Sequence, residues 1–207
     1  MTELNDEKST GRIEAFSDGV FAIAITLLIL ELKVPEPEAP GYAGLLSALG
    51  RLWPSYLAFV MSFTVILVMW VNHHRIFSLV RRSDDAFLYW NGLLLLFVTI
   101  VPFPTAVLAR YLLESEHEAR IAAAVYSGMG VLSAIAFTAL WRHAIRDERL
   151  LVPGRREEVR ELNDQYRFGP LAYLVAFALS FVSSWASVGV CLALALVFAL
   201  RGLWGKR

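Results

Sequence analysis

The stretch "FSDGVFAIAITLLILEL", residues 16–32, decides the fold of this chain. Apolar residues continue without a charge from Gly19 to Leu30. About 20 apolar residues, rising about 1.5 Å each, cross the hydrocarbon core of a bilayer. The sequence therefore predicts a membrane-spanning helix that begins beside a carboxylate, Asp18. Acidic residues precede the run and no small-residue cleavage site follows it, so we expect a retained helix rather than a signal peptide.

The composition agrees with a protein that lies in the membrane. Hydrophobic residues make up 57% of the 207 residues and charged residues 18%, below the usual quarter of a soluble domain. A formal net charge of zero excludes an overall basic surface for nucleic acid. Cys191 is the single cysteine, which excludes an internal disulfide, and no Cys/His spacing is typical of structural zinc.

Segments long and apolar enough to cross a bilayer recur along the whole chain. We predict an all-α, polytopic membrane protein with one domain, residues 1–207, and six transmembrane helices. The expected spans are about 16–34, 53–73, 87–110, 119–141, 168–184 and 186–204. The fifth is the shortest, and only "SSWAS" separates it from the sixth, so these two should form a tight hairpin. Residues 142–167, rich in Arg and Glu, form a cytoplasmic linker that is partly helical.

The distribution of positive charge predicts the orientation. Loops rich in Lys and Arg stay on the cytoplasmic side of a membrane. With a cytoplasmic N-terminus and six spans, 15 of the 19 Lys and Arg residues fall on the inner side. Both termini are therefore expected to be cytoplasmic, in the inner (plasma) membrane of the cell.

One face of the first helix carries a stripe of large apolar side chains. At about 100° per residue, Phe16, Ile23, Leu27 and Leu30 share this face, with Thr26 on its flank. Asp18 lies roughly 140° from Ile23 on the same wheel, so it does not belong to the stripe. Ordinary packing against lipid or protein explains such a stripe equally well. Asp18 itself has two explanations, a capping and packing role or a ligand for a permeating ion.

The second span ends in "MWVNHHRIF", which places polar groups at the cytoplasmic edge of the membrane. His73 and His74 are adjacent and point to different faces of a helix, which disfavours joint metal or haem binding. We expect one histidine to face the bundle and to bond an acid or serine of the first helix.

In the third span, Asn91 is positioned for a bond between helices, and the prolines of "PFP" at 102–104 predict a kink.

These residues carry a resemblance to a known family. The stretch "RIEAFSDGVFAIAITLLILELKVP" resembles the first helix of bacterial relatives of transmembrane protein 175, a potassium channel of endosomes and lysosomes. The matching positions are Arg12, Phe16, Ser17 and Asp18, then Trp70, His73 and Phe77, then Asp84, Asp85, Asn91 and Pro102. The likeness covers nearly the whole chain and is most specific from Arg12 to Asn91.

The resemblance implies a homotetramer whose first helices line a central pore. It implies a channel that carries monovalent cations across the lipid bilayer and conducts potassium with modest selectivity over sodium. The implied channel has no TVGYG filter. The implied constriction consists of rings of Ile23, Leu27 and Leu30, with Thr26 as a hydroxyl layer. The implied network that anchors the pore helix consists of Arg12, Phe16, Ser17, Asp18, Trp70, His73 and Asn91. Permeant potassium is then the one metal ion involved, and no cofactor is expected.

Four functions follow as alternatives. The first is a channel gated by a hydrophobic constriction, with no enzymatic activity. The second is a proton-coupled transporter or proton pathway that uses Asp18 and His73, since histidine titrates near neutral pH. The third is a membrane enzyme or haem protein built around His73 and His74, and the fourth is a purely structural membrane protein.

Overall fold

A computed structural model describes residues 3–37, 43–146, 150–166 and 168–204 of the chain. The described residues form α-helices joined by short connections and contain no β-strand beyond one isolated bridge. In chain order the helices are α1 (Glu3–Leu27), α2 (Leu45–Arg51), α3 (Trp53–Leu79), α4 (Asp85–Ile100), α5 (Pro102–Tyr111), α6 (Glu116–Arg146), α7 (Arg156–Tyr166), α8 (Gly169–Ser180) and α9 (Ser184–Trp204). The predicted all-α fold class is confirmed.

Among these helices, four stretches are long and apolar enough to cross a membrane. They are Thr10–Glu31, Trp53–Leu79, Asp85–Tyr111 and Glu116–Arg146. They contain the second, third and fourth predicted spans, and they cover the first, 16–34, only as far as Glu31. The regions of the fifth and sixth spans form shorter apolar helices, Gly169–Ser180 and Ser184–Leu200. Twelve residues of α-helix rise only about 18 Å, which is why the fifth region falls below the length of an ordinary span.

The predicted kink in the third span is present. Helix α4 ends at Ile100, Val101 forms the junction, and α5 begins at Pro102. Proline has no backbone N–H, so position 102 cannot donate the hydrogen bond that would continue the ladder of α4. Val101 N bonds instead to Val98 O at 3.2 Å, a tighter turn than that of an α-helix.

The first helix packs on its neighbours along a narrow seam. Ser17, Phe21 and Ala24 are buried where α1 packs on α3 and α4, and Leu28 is buried where the following turn packs on α3 and α5. Their spacing of four, three and four residues places them on one side of a helix. After Leu27 the helix tightens into a 3-10 turn, Leu28–Glu31.

The N-terminal end of α1 meets two connecting segments of the fold. Thr10 Oγ1 donates to Arg81 O at 3.1 Å, just after α3. In turn, Arg81 N donates to Leu150 O at 2.8 Å, and Val152 N donates to Leu79 O at 2.9 Å. The linker predicted at 142–167 therefore contains the end of α6, a segment paired with the α3–α4 connection, and helix α7. Residues 147–149 and 167 of that linker lie outside the described residues.

Two glycines of α6 let α8 approach closely. A Cβ built on Gly128 would lie 3.3 Å from the Phe177 ring, and one on Gly130 would collide with the Tyr173 ring. Both aromatic residues belong to α8. The short α8 is thus attached to the bundle by ring-on-glycine packing with the long α6.

We expect Gly130→Ala to destabilise the protein, because its methyl group would overlap ring carbons of Tyr173. Overpacking of this kind costs about 1–3 kcal/mol. The matched control is Gly189→Ala in α9, where an added Cβ meets nothing within 4 Å and alanine favours the helix by up to about 1 kcal/mol. Thermal unfolding of the purified protein in detergent measures both changes. A Gly130→Ala protein as stable as Gly189→Ala would contradict the close α6–α8 contact.

Candidate functional site

The predicted stripe on α1 is exposed in the single chain. The exposed fraction is 68% for Phe16, 60% for Ile23, 42% for Leu27 and 59% for Leu30. The stripe lies to one side of the buried seam that packs on α3 and α4. Large apolar side chains thus form a continuous face that no other part of the described chain covers.

The 3-10 turn changes the alignment at the end of this stripe. Residues three apart eclipse each other in a 3-10 helix, which advances about 120° per residue. Leu30 therefore falls back almost in line with Leu27, whereas Ile29 points roughly 140° away from Leu27. The regular helical wheel already placed both leucines on one face, and the tightened turn aligns them more closely than the roughly 60° offset of that wheel.

Thr26 flanks the stripe as predicted and is exposed. Its hydroxyl lies 2.9 Å from both Ala22 O and Ile23 O, so the proton is donated within the helix. A hydroxyl that donates its proton in this way still has oxygen lone pairs to offer. Thr26 can therefore act as a cation ligand and not as a donor.

Asp18 bonds to α3 and not to the exposed stripe. Trp70 Nε1 donates to Asp18 Oδ1 at 2.8 Å. This is a charge-assisted bond, a class that is shorter and stronger than a neutral one. The contact joins two of the predicted anchoring residues and directs the Asp18 carboxylate toward the neighbouring helix.

Three more of the predicted residues form a buried chain of hydrogen bonds. His73 Nε2 lies 2.9 Å from Asn91 Oδ1, and Asn91 Nδ2 donates to Ser17 Oγ at 3.0 Å. Ser17 Oγ donates in turn to Ile13 O at 2.8 Å. The exposed fraction is 0% for Ser17, 0% for His73 and 3% for Asn91. The amide of Asn91 on α4 thereby links α1 to α3.

The direction of this chain determines the tautomer of His73. The Asn91 oxygen only accepts, so His73 Nε2 carries a proton and donates it. His73 Nδ1 is buried and has no hydrogen-bond partner within the described part of the chain. The ring lies between Phe21 and Phe77, at centroid distances of 5.3 and 4.4 Å. This apolar enclosure favours a neutral imidazole, because a second N–H would be buried without an acceptor.

Two predicted members of the network stand apart from it in the single chain. Arg12 and Phe16 border an open crevice between α1 and α4 that Asn91 also lines. Arg12 makes no hydrogen bond to Asp18, Trp70, His73 or Asn91 in the part of the chain that the structure describes. The membership of Arg12 and Phe16 in the network therefore stays a prediction.

Sequence reasoning missed a second bond between α1 and α3. His74 Nδ1 lies 2.8 Å from Glu14 Oε1. Glu14 precedes Asp18 by four residues, and His74 follows Trp70 by four, so the two bonds are one helical turn apart on antiparallel helices. Once Asp18 is paired with Trp70, this spacing predicts the bond between Glu14 and His74. His74 thus points away from buried His73, and the described residues hold no group of three or more His, Cys, Asp or Glu that could bind a metal.

A further polar cluster, also missed, lies deep among α3, α5 and α6. Thr105 Oγ1 lies 2.7 Å from Ser62 Oγ, which lies 3.0 Å from the Tyr126 hydroxyl. Single serine and threonine residues in apolar runs give no sequence signal for such a meeting. The cluster bonds α5 to α3 and α6 just beyond the proline kink.

Comparisons with known proteins identify relatives of this chain. A sequence profile of the family described as endosomal/lysosomal potassium channel TMEM175 matches residues 12–102. A potassium channel of Chamaesiphon minutus is 62% identical over 202 residues, which are 97% of this chain and 98% of that protein. The crystal structure of a lysosomal potassium-selective channel TMEM175 homolog from that organism superposes with a TM-score of 0.87, at 62% identity, over 95% of this chain and 99% of that one.

A human protein extends the similarity to animals. The human endosomal/lysosomal proton channel TMEM175 is 33% identical over 202 residues, which are 91% of this chain. The matched part is 39% of the human protein, so the chain spans well under half of that relative.

Proposed function

This chain belongs to the TMEM175 family of ion channels, multi-pass membrane proteins rather than enzymes, and we propose that it conducts potassium ions with a modest preference over sodium ions. The proposed channel is a homotetramer with six spans in each subunit, both termini in the cytoplasm and the α1 helices around a central pore. It resides in the inner (plasma) membrane and needs no cofactor. One observation carries the proposal: the exposed apolar stripe on α1, beside a set of buried polar bonds.

The stripe and the bonds divide α1 between two tasks. The buried seam and the bonds of Ser17 and Asp18 fix one side of the helix to its own subunit. The stripe of Ile23, Leu27 and Leu30 is left for another surface. Four such helices around an axis would bury their stripes against each other and form apolar rings. Lipid would cover the stripe as well, but it would not explain why α1 is held by so many polar bonds.

Rings of this kind suggest how the pore works. Narrow apolar rings exclude water and block ions, and a modest widening lets a partly hydrated cation pass. The hydroxyl oxygens of Thr26 would then replace a few of the water ligands. Such a site recognises only part of the hydration shell, which is why we propose modest selectivity. No TVGYG motif occurs in the sequence to supply rings of backbone carbonyls.

The length of the last two helices bears on the number of spans. Helix α9, Ser184–Trp204, rises about 31 Å, enough to cross a bilayer, whereas α8 rises about 18 Å. Because α8 packs fully on the long α6, its shortness need not expose backbone groups to lipid. The excess of 15 to 4 in Lys and Arg on one side also favours an even number of spans.

Potassium flux out of liposomes that contain the purified protein tests the proposed function. Purified protein is reconstituted with potassium chloride inside and sodium chloride outside, and the voltage set by a potassium leak is followed with a dye. We expect a membrane potential close to the equilibrium potential of potassium but smaller, because sodium also permeates. Protein that is tetrameric by size-exclusion chromatography with light scattering, yet passes no potassium, would overturn the proposal.

The human relative is named a proton channel, which gives the proton pathway a specific reason to be considered. The bonding of His73 speaks against it as the relay. Its Nε2 proton is donated to the amide of Asn91, a group that does not exchange protons readily, and its Nδ1 has no partner among the described residues. Asp18 is bonded to the indole of Trp70, which does not titrate.

We therefore expect His73→Gln to leave any proton permeability within about twofold of the wild type, since an amide can still donate to Asn91. A pH-sensitive dye inside potassium-free liposomes measures proton entry at a fixed voltage. The potassium flux of the same preparation reports whether the variant still assembles. A proton flux that falls tenfold or more, while potassium flux persists, would establish His73 as a proton relay.

A further inference from the structure

A cavity inside the subunit lies on the far side of α3 from the exposed stripe of α1. It has a volume of about 100 Å³ and is bounded by α3, α5, α6, α8 and α9, with Tyr166 of α7 at one end. Met129, Ser133 and Phe198 are among its lining residues, which are mostly apolar. Val101 and Pro104 at the break between α4 and α5, and Gly130 and Tyr173 at the contact between α6 and α8, also line it.

Three polar groups among the mostly apolar lining are already bonded within the protein. The Tyr126 hydroxyl bonds Ser62 Oγ, Thr138 Oγ1 donates to Ala134 O at 2.8 Å, and the Tyr166 hydroxyl donates to Asn72 O at 3.2 Å. A water molecule needs two to four polar partners to remain in such a place. A dry cavity of about 150 Å³ takes up benzene, so the space here suits a few methylene groups. Hydrocarbon is therefore the expected occupant.

Two arginines lie one helical turn beyond lining residues of α3 and α6. Arg75 follows the lining residue Asn72 by three positions on α3, and Arg142 follows the lining residue Thr138 by four on α6, so each lies on the cavity side of its helix. Burial raises the pKa of the Tyr166 phenol and the charge of Arg75 opposes that rise, which places Arg75 near the end of the cavity that Tyr166 lines. Positive charge beside a hydrocarbon-sized space is complementary to an anionic lipid.

We propose that this cavity binds a few methylene groups of one acyl chain of an anionic phospholipid, whose phosphate lies at Arg75 and Arg142. The lipid reaches the site from the surrounding bilayer, because the cavity is not sealed from the subunit surface. In that place the chain fills the space behind α3, the helix to which α1 is bonded through Trp70 and His73. The site is separate from the proposed pore and does not depend on conduction.

Photolabelling tests the site without any measurement of ion flux. The protein is reconstituted with phosphatidylglycerol that carries a diazirine in the middle of one acyl chain, or with phosphatidylcholine that carries the same chain. Labelled residues are identified by mass spectrometry after illumination. We expect phosphatidylglycerol to label Met129 and Ser133 inside the cavity as well as Leu132 and Ile135, which are exposed on the same helix. The outward residues serve as the internal reference.

Variants separate the cavity from the headgroup contact. Ala134→Phe, or Ala195→Leu as a second choice if the first does not fold, fills the cavity and should lower its labelling at least tenfold relative to the reference. Val125→Phe adds a ring on the outward side of α6 and should not lower the labelling inside the cavity. The double variant Arg75→Gln/Arg142→Gln should remove a preference of about tenfold for phosphatidylglycerol. Arg110→Gln, at the opposite end of the bundle, should keep the preference for phosphatidylglycerol.

Two results would overturn the proposal. Labelling confined to Leu132 and Ile135 in the wild-type protein would show that no acyl chain enters. Equal labelling of Ser133 by the two phospholipids would show that a chain enters without recognition of an anionic headgroup.

Discussion

Replacing Asn91 with leucine is expected to lower the melting temperature of the protein by roughly 5–15 °C and to abolish potassium flux. Leucine has nearly the shape of asparagine but bonds neither Ser17 nor His73. The N–H of His73 would then be buried without an acceptor, and such a group costs about 1–3 kcal/mol. The lost bonds also release α1 from α3 and α4 at the level where the proposed pore begins. Thermal unfolding in detergent measures the first effect and liposome flux the second.

Thr99→Val on the same helix is the matched control. The Thr99 hydroxyl bonds only to Leu96 O of its own helix at 2.8 Å and is exposed, so its loss should shift the melting temperature by no more than a degree or two. Ser17→Ala completes a double-mutant cycle with Asn91→Leu. The two changes remove the same bond, so together they should cost less than the sum of the single variants. Strict additivity would mean that the bond between Asn91 and Ser17 contributes little.

The sequence singled out the polar residues that bond α1 to its neighbours but not their partners, since the buried His73 bonds the amide of Asn91 and not an acid or serine of α1. Asp18, Trp70, His73 and Asn91 are polar residues at the ends of long apolar runs, where a buried polar group must find a partner. The family resemblance supplied their grouping, and the structure brings these four together with Ser17. Arg12 differs because it is a long side chain in an open crevice, where nothing in a single chain fixes its position.

Other features depended on contacts that no local pattern reveals. The cluster of Ser62, Thr105 and Tyr126 joins three helices that are distant in sequence, and each residue alone is ordinary in an apolar span. The short α8 was predicted as a span of about 168–184, because "FVSS" after Ser180 is apolar enough to extend it. The described helix ends at Ser180, and Ser183 N turns back to Leu179 O at 2.8 Å to start the hairpin. Hydropathy alone does not locate such a turn.

The end of α1 carries a small backbone change that would serve the proposed constriction. A regular α-helix places residues three apart about 60° out of line, but the 3-10 turn brings Leu30 nearly under Leu27. Each subunit would then supply one leucine to each of two rings at successive depths. Of the two, Leu27 is the last residue of regular helix and is the more fixed. Its side chain is therefore the place where a change of size or polarity should have the greatest effect.

Leu27→Ala is expected to raise potassium conductance about tenfold and to reduce the preference for potassium over sodium. Four shortened side chains widen the ring, and a fall of about 1.4 kcal/mol in the barrier to ion passage gives a tenfold rise in rate. Planar bilayer recordings measure the conductance of one channel and the reversal potential under mixed potassium and sodium. Ile23→Ala should act in the same direction at the neighbouring ring.

Leu27→Asn separates the two physical origins of such a barrier. Asparagine nearly matches leucine in size but is polar, so it wets the ring without widening it. If exclusion of water sets the barrier, Leu27→Asn should raise conductance as much as Leu27→Ala, whereas a purely steric constriction should respond to alanine alone. Ile29→Ala is the matched control, since Ile29 is 53% exposed yet points away from the stripe. Conductance that is unchanged in Leu27→Ala and Ile23→Ala, or equally raised in Ile29→Ala, would remove the stripe from the pore.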